Sequence, residues 1–265
     1  LVASSAVADS FVVVYYGNTG SSWLIETLGH VPGVLLPAFE PLEAHAWNAS
    51  DRDKVSWVRD AFSLPPEHDG PAFDKWLEDL GASPQFKGLI RSEFSTIAFK
   101  MTPSALRSTN ELVDVFEEFG TRLVFLRREN RIKHALSLYR YHEEHKSQFD
   151  RSGIRPPSEV DVRVFDRWLR ESVRLDDRHS AFEDECRDRL GSDVVIGVAY
   201  EEFVTGEGKR ATVRRLIEFL GLPAGDYTGG SFEKATPDDL RSAVVNYDRL
   251  RRRYRRGPMA RYFED

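Results

Sequence analysis

Phe11–Tyr16 (FVVVYY) is an unbroken run of β-branched and aromatic residues. That is the pattern of a strand buried on both faces, as in a parallel sheet. It gives way to Gly17-Asn18-Thr19-Gly20-Ser21-Ser22 and then to Trp23–Leu28, helical in character and ended by Gly29. Short apolar runs at Val34–Leu36, Ser95–Met101, Arg122–Leu126 and Val194–Val198 read as further strands. Charged, Pro-interrupted helical stretches fill 50–82, and Pro103 opens a helix that ends near Gly120. Further helices are predicted over Asn130–His145, 159–190, Lys209–Leu220 and Pro237–Tyr254. In Asn130–His145, Ile132, Ala135, Leu136 and Tyr139 share one apolar face. Strands alternating with helices predict an α/β fold with a mostly parallel sheet. With no repeat and no dividing linker, residues 1–265 read as a single domain. Such sheets bind ligands beyond the carboxyl ends of their strands, so loops 17–22, 37–45, 100–103, 127–131 and 199–203 are the ones to watch.

Composition narrows the class. Of 265 residues, 41% are hydrophobic and 30% charged, which fits a soluble globular chain and excludes low-complexity disorder. The lone cysteine, Cys186, forbids an intrachain disulfide and speaks against a Cys-based zinc site. It suits a reducing compartment, so a cytoplasmic location is expected. No apolar run approaches the roughly 20 residues of a membrane span. The first residue is Leu rather than Met, which leaves an upstream signal or anchor open. The net charge of −6 is unlike that of a bulk nucleic-acid binder. Positive charge is nevertheless concentrated, in Arg122, Arg127, Arg128, Arg131, Lys133 and Arg140 and again at Arg249, Arg251, Arg252, Arg253, Arg255 and Arg256. Local basic clusters on an acidic chain suggest discrete anion sites. The second cluster also reads as a solvated helix face.

A strand, a Gly-rich turn and a helix start together make an anion cradle, because the first N–H groups of a helix are unpaired and its dipole favours negative charge there. Gly17 and Gly20 let the backbone approach a ligand, and Ser21 and Ser22 add hydroxyl donors. The loop is neither G-x-x-x-x-G-K-[ST] nor G-x-G-x-x-G. A Gly/Ser turn can also simply connect a strand to a helix.

Tyr16-Gly17-Asn18-Thr19-Gly20-Ser21-Ser22-Trp23-Leu24 resembles the 5′-phosphosulfate loop of the sulfotransferases that use 3′-phosphoadenosine 5′-phosphosulfate (PAPS), usually Y-P-[KR]-[ST]-G-[ST]-[ST]-W-L. Phe125–Tyr139 (FLRRENRIKHALSLY) resembles their 3′-phosphate strand and helix, above all in the bacterial trehalose-type and carbohydrate sulfotransferases. Val198–Phe203 (VAYEEF) is similar to their Y-E-[DE]-[LFM] segment, and Leu216–Pro223 and Lys234–Leu240 also look alike. The matches keep the family's order from about 11 to 263. The resemblance implies a three-layer α/β/α, P-loop-like sulfotransferase fold. It implies transfer of a sulfuryl group from PAPS to a hydroxyl (or amine) of an acceptor, by in-line displacement with a general base, with 3′-phosphoadenosine 5′-phosphate (PAP) as product and no metal. It places Gly17, Asn18, Thr19, Gly20, Ser21, Ser22 and Trp23 on the donor, Arg128 and Ser137 on the 3′-phosphate, and Tyr200 near the adenine. Arg256 and Gly257 loosely resemble a loop that closes over the 3′-phosphate.

One position departs from the pattern. The family usually has Lys or Arg where Asn18 stands, a cation that stabilises the leaving phosphate. Either another cation substitutes or the enzyme is slow or inactive. Lys100, in Phe99-Lys100-Met101-Thr102-Pro103, is the candidate replacement, similar to the K-[ST]-P of carbohydrate sulfotransferases. An alcohol acceptor also needs a general base. Glu40, in Phe39-Glu40-Pro41-Leu42, resembles a catalytic Glu of carbohydrate and trehalose-type enzymes, and Glu43 and His45 compete with it. His134 and His142 read as surface or packing residues. The expected partner is a small-molecule or carbohydrate acceptor, with no nucleic acid. A nucleotide kinase and a non-catalytic PAP-binding relic are the alternatives.

Overall fold

Strand β1 (Asp9–Tyr15) is the middle of a five-stranded sheet. The computed structural model describes residues 9–38, 40–43, 49–63, 71–80, 94–144, 156–203, 206–227 and 239–263. After β1 come helix α1 (Ser21–Gly29), strand β2 (Val34–Leu35), helices α2 (Asp51–Phe62) and α3 (Pro71–Asp79), and strand β3 (Thr96–Met101). Helix α4 (Asn110–Phe119), strand β4 (Arg122–Arg127), helix α5 (Arg131–Glu143), the long α6 (Val162–Leu190) and strand β5 (Val195–Ala199) follow. The described chain closes with α7 (Tyr200–Phe203), α8 (Gly206–Leu220), α9 (Leu240–Ala243) and α10 (Tyr247–Tyr254), then a 3-10 turn at Ala260–Phe263.

All paired strands are parallel, in the order β2-β3-β1-β4-β5. Side chains alternate across the pleat. Val12, Val14, Ile97, Phe99, Leu123 and Phe125 pack against α2, α4 and α6 on one face. Phe11, Val13, Tyr15, Ala98, Val124 and Leu126 pack against α1 and α8 on the other. The result is the expected α/β/α sandwich. Full burial of each Val, Leu, Ile or Phe among them stabilises by about 1.5–3 kcal/mol. The sheet core therefore holds the molecule, and the loops above it are free to carry polar groups.

The chain leaves β1 toward β2 on one side, returns to β3 beside β1, then crosses to β4 on the other side. The turn after β1 therefore sits where successive connections diverge, the crevice in which open parallel sheets bind ligands.

Two helix expectations need correction. Pro103 opens only a 3-10 turn, Pro103–Ala105, and α4 begins at Asn110. Asp51 Oδ2 accepts from Arg107 N at 2.7 Å and Ser108 N at 3.2 Å, which fixes that stretch as a connection. The helix expected over Pro237–Tyr254 is split, and its Pro237 lies outside the described residues. Val244 is extended and bridges Ser158 in parallel, with Ser158 N donating to Ala243 O at 3.0 Å and Val245 N to Ser158 O at 2.9 Å. Backbone pairing with a distant segment outweighs helix propensity there. Among the described residues, no helix is long and apolar enough to cross a membrane.

Candidate active site

The turn between β1 and α1 is built to present N–H groups. Asn18 has φ 66° and Gly20 φ 79°, both left-handed. Asn adopts that region more readily than most residues, so Asn18 suits a turn that a lysine would strain. Gly20 is required twice over, because a Cβ there would lie 3.0 Å from the Tyr200 ring and 3.1 Å from Phe203. The turn's carbonyls are taken up by the protein. Tyr16 O accepts from Thr19 Oγ1 (2.9 Å), Gly17 O from His134 Nε2 (2.7 Å), Asn18 O from Arg128 Nη1 in a long contact (3.4 Å), and Gly20 O from Leu24 N (3.2 Å). The N–H groups of Gly17, Asn18 and residues 20–23 have no acceptor among the described residues, and α1 has no side-chain cap. Unanswered donors at a helix N-terminus are the arrangement in which anions bind.

Lys100 closes one side of this turn. It pairs with Val13 across the β1–β3 ladder, which brings its ammonium to the helix start. Its Nζ lies 2.7 Å from Ser22 Oγ, 3.5 Å from Ser21 Oγ and 2.8 Å from Glu40 Oε1, over the Tyr15 ring. The side chain is only 3% exposed. Burial lowers the Lys100 pKa, while Glu40 and Glu43 pull it the other way. Glu40 Oε1 also accepts from Tyr15 Oη at 2.5 Å, and burial followed by that carboxylate raises the Tyr15 pKa. Glu43 is occupied elsewhere, accepting from Thr102 N (3.0 Å) and Thr102 Oγ1 (2.8 Å). His45 lies outside the described residues.

Arg128 closes the other side, at the end of β4. It is 5% exposed, its guanidinium lies 4.5 Å over the Tyr200 ring, and its Nε has no hydrogen-bond partner among the described residues. Glu201 accepts from Glu129 N and Asn130 N, and Asn130 caps α5 through Lys133 N, so the strand-to-helix corner is rigid. Ser137 is half-buried on α5, and no hydrogen bond joins it to Arg128 among the described residues. Trp23 is buried, its ring stacked on Phe203 at 5.5 Å with Lys209 Nζ at 4.8 Å, so it packs α1 rather than lining the turn. Arg256 and Gly257 are exposed after α10. The 3-10 turn beyond them docks on the start of α5, where Asn130 Nδ2 donates to Tyr262 O at 3.2 Å.

Beneath the turn lies a buried polar layer that the sequence reading did not identify. Tyr16 Oη accepts from Arg128 N (2.8 Å) and donates to Asp176 Oδ1 (3.1 Å), and Asp176 pairs with Arg131. His134, read as a surface or packing residue, is fully buried and bridges Gly17 O and Ser172 Oγ. One signal was available. Phe165, Leu169, Ser172, Asp176, His179, Glu183 and Cys186 form the buried stripe of α6 at three- and four-residue spacing, and the polar residues stand in core positions.

Burial lowers the His134 pKa from 6.5 to about 3, so the folded ring is neutral. The unfolded chain binds a proton that the native state refuses. Stability should therefore be complete above about pH 6.5 and fall as pH drops toward 3, by about 1.4 kcal/mol per pH unit for such a group. Urea unfolding of His134→Gln at pH 7 and pH 5 should show a pH dependence shallower by that slope. A variant as steep as the parent would place the linkage elsewhere.

No family model matches the sequence, and no curated protein matches it either. Among solved structures, the chain is similar to a mouse sulfotransferase complexed with PAP, at 15% identity and a TM-score of 0.43, covering 82% of this chain and 60% of that one. It is similar to a sulfotransferase from Alicyclobacillus acidocaldarius at 15% identity and TM-score 0.43, over 95% and 98% of the two chains. A sulfotransferase domain from the Synechococcus PCC 7002 olefin synthase gives 14% identity and TM-score 0.45, over 91% and 83%. This chain thus spans 60% of the length of the mouse protein. All three are distant likenesses.

Proposed function

We propose that the chain is a PAPS-dependent sulfotransferase acting on a hydroxyl of a small-molecule or carbohydrate acceptor. The observation that carries this reading is the set of acceptorless N–H groups at Gly17, Asn18 and residues 20–23, flanked by the buried cations Lys100 and Arg128. One donor with two separated anionic ends fits that arrangement. The turn, Ser22 and Lys100 would hold the phosphosulfate, and PAPS would supply the sulfuryl group. Arg128, a planar fork stacked on Tyr200, would hold the 3′-phosphate. In the transfer, the sulfur–oxygen bond to the phosphate breaks as the bond to the acceptor oxygen forms. Lys100 would neutralise the charge that builds on the leaving phosphate, in the role of the cation missing at Asn18. Glu40 takes the acceptor proton. Nothing in the turn stands for the lysine that a nucleotide kinase would need after the glycine.

Calorimetry tests the donor assignment. PAP should bind more tightly than ADP, which lacks the 3′-phosphate, and Arg128→Ala should cost PAP about 1.5–3 kcal/mol while leaving ADP nearly unchanged. Equal affinity for the two nucleotides, or tighter binding of ATP with magnesium, would overturn the reading.

A further inference from the structure

The anion turn is short and Gly-containing, so its own sequence does not dictate which way its peptide groups point. Each peptide can present its N–H or its C=O to the open side. What selects the orientation is the set of partners that draw the carbonyls inward. Thr19 and Leu24 do this locally for Tyr16 O and Gly20 O. Asn18 O has only the long contact from Arg128. The short, buried contact is the one between Gly17 O and His134 Nε2, at 2.7 Å.

A carbonyl oxygen can only accept, so His134 Nε2 carries the proton. Nδ1 is then the acceptor, and Ser172 Oγ at 2.6 Å donates to it. The ring is further fixed by its edge-on packing against Tyr16 at 4.9 Å. Its charged neighbours are Arg128, Arg131 and Asp176. Ser172 in turn comes from the middle of α6, a rigid support independent of the loop. We infer that His134 is a positioning residue for the anion turn: held by Ser172 in the Nε2–H tautomer, it turns the Gly17 carbonyl away from the open side and so directs the adjoining N–H groups toward the ligand. The inference rests on the donor site proposed above for its biological ligand, but the geometry calls only for an anion.

The neutral tautomer also explains why a histidine serves here. A lysine or arginine could donate to the same carbonyl, but its charge would be fully buried beside Arg128 and Arg131, at a large desolvation and repulsion cost. A glutamine can offer one N–H in nearly the same place without charge.

Inorganic pyrophosphate and PAP are both used as probes, with binding measured by calorimetry at pH 7. His134→Gln should keep affinity for both within about threefold, whereas His134→Leu, with no donor, should lose about tenfold or more for both. Ser172→Ala should fall between them. A merely structural histidine would not be rescued by glutamine over leucine in this way at matched melting temperature. A second measurement needs no variant. In the native protein, ¹⁵N shifts of the His134 ring should report a proton on Nε2 and none on Nδ1, unchanged from pH 8 to pH 5. Native-like anion affinity in a folded His134→Leu protein, or a proton found on Nδ1, would overturn the inference. If pyrophosphate binds and responds to these variants while PAP binds no better than ADP, the donor assignment fails and the role of His134 stands.

Discussion

Lys100→Met should lower turnover by about 10²–10³, the usual worth of one preorganised group at the developing charge. The substitution is gentle on the fold. The lysine stem is already enclosed, with 3% of the side chain exposed, and methionine fills similar space without an ammonium to desolvate. Glu40 is 24% exposed and can still reach water, so thermal stability should fall only modestly. Glu40 loses its partner but keeps the Tyr15 hydroxyl at 2.5 Å. PAP should still bind through the turn and Arg128, more weakly because one charge-assisted contact is gone. Stopped-assay turnover at saturating PAPS, beside calorimetric PAP affinity, separates the two effects. Turnover within a factor of three of the parent, with PAP bound, would remove Lys100 from the chemistry and leave the absence of a cation at Asn18 unanswered.

Glu40→Gln should cost about 10²–10⁴ in turnover, the span expected of a positioned general base. The structure sharpens the accompanying binding result. Glu40 neutralises Lys100 across 2.8 Å. Removing that carboxylate charge leaves a buried ammonium with only the more distant Glu43 to offset it, which favours an anionic ligand. PAP affinity should therefore hold or increase while catalysis collapses, a pattern that a misfolded variant would not show. Glu43→Gln is the internal control, since that carboxylate is already engaged by Thr102 N and Oγ1 and should affect turnover far less. His45→Asn is the competing test. A large loss there, with Glu40→Gln fully active, would move the base to His45.

The parts of the molecule that were legible in the sequence are those whose signal is local. FVVVYY announces a doubly buried strand because every position is apolar, and the sheet around it has both faces covered. Loops at strand ends could be singled out before anything was known of their neighbours. The fold brings Asn18, Ser22, Glu40, Lys100, Arg128 and Tyr200 to one end of the sheet, as parallel topology requires. What was missed depends on pairing across long separations. The break at Val244 is made by Ser158, and the late start of α4 follows the anchoring of Arg107 and Ser108 by Asp51. No window of sequence contains both partners. His134 looks ordinary in its helix and acquires a role only when α6 and the Gly17 carbonyl arrive beside it.

That dependence has a consequence for how the protein is made. The turn at residues 17–22 precedes its supports in the chain, so its shape is dictated from far downstream. His134 is 117 residues from Gly17, and Arg128 is 110 from Asn18. The walls around Gly20 come from Tyr200 and Phe203. A nascent chain carrying β1 and α1 alone therefore has the motif without the receptor. Loop closure on this scale is slow, because its entropy is lost before the distant contacts repay it. On the proposed reading, an anion would be recognised only by the finished fold. By mass action it then stabilises the native state alone, by about 2.7 kcal/mol at roughly one hundred times its Kd. If the ligand is the proposed nucleotide, its concentration then enters into how long each completed molecule survives.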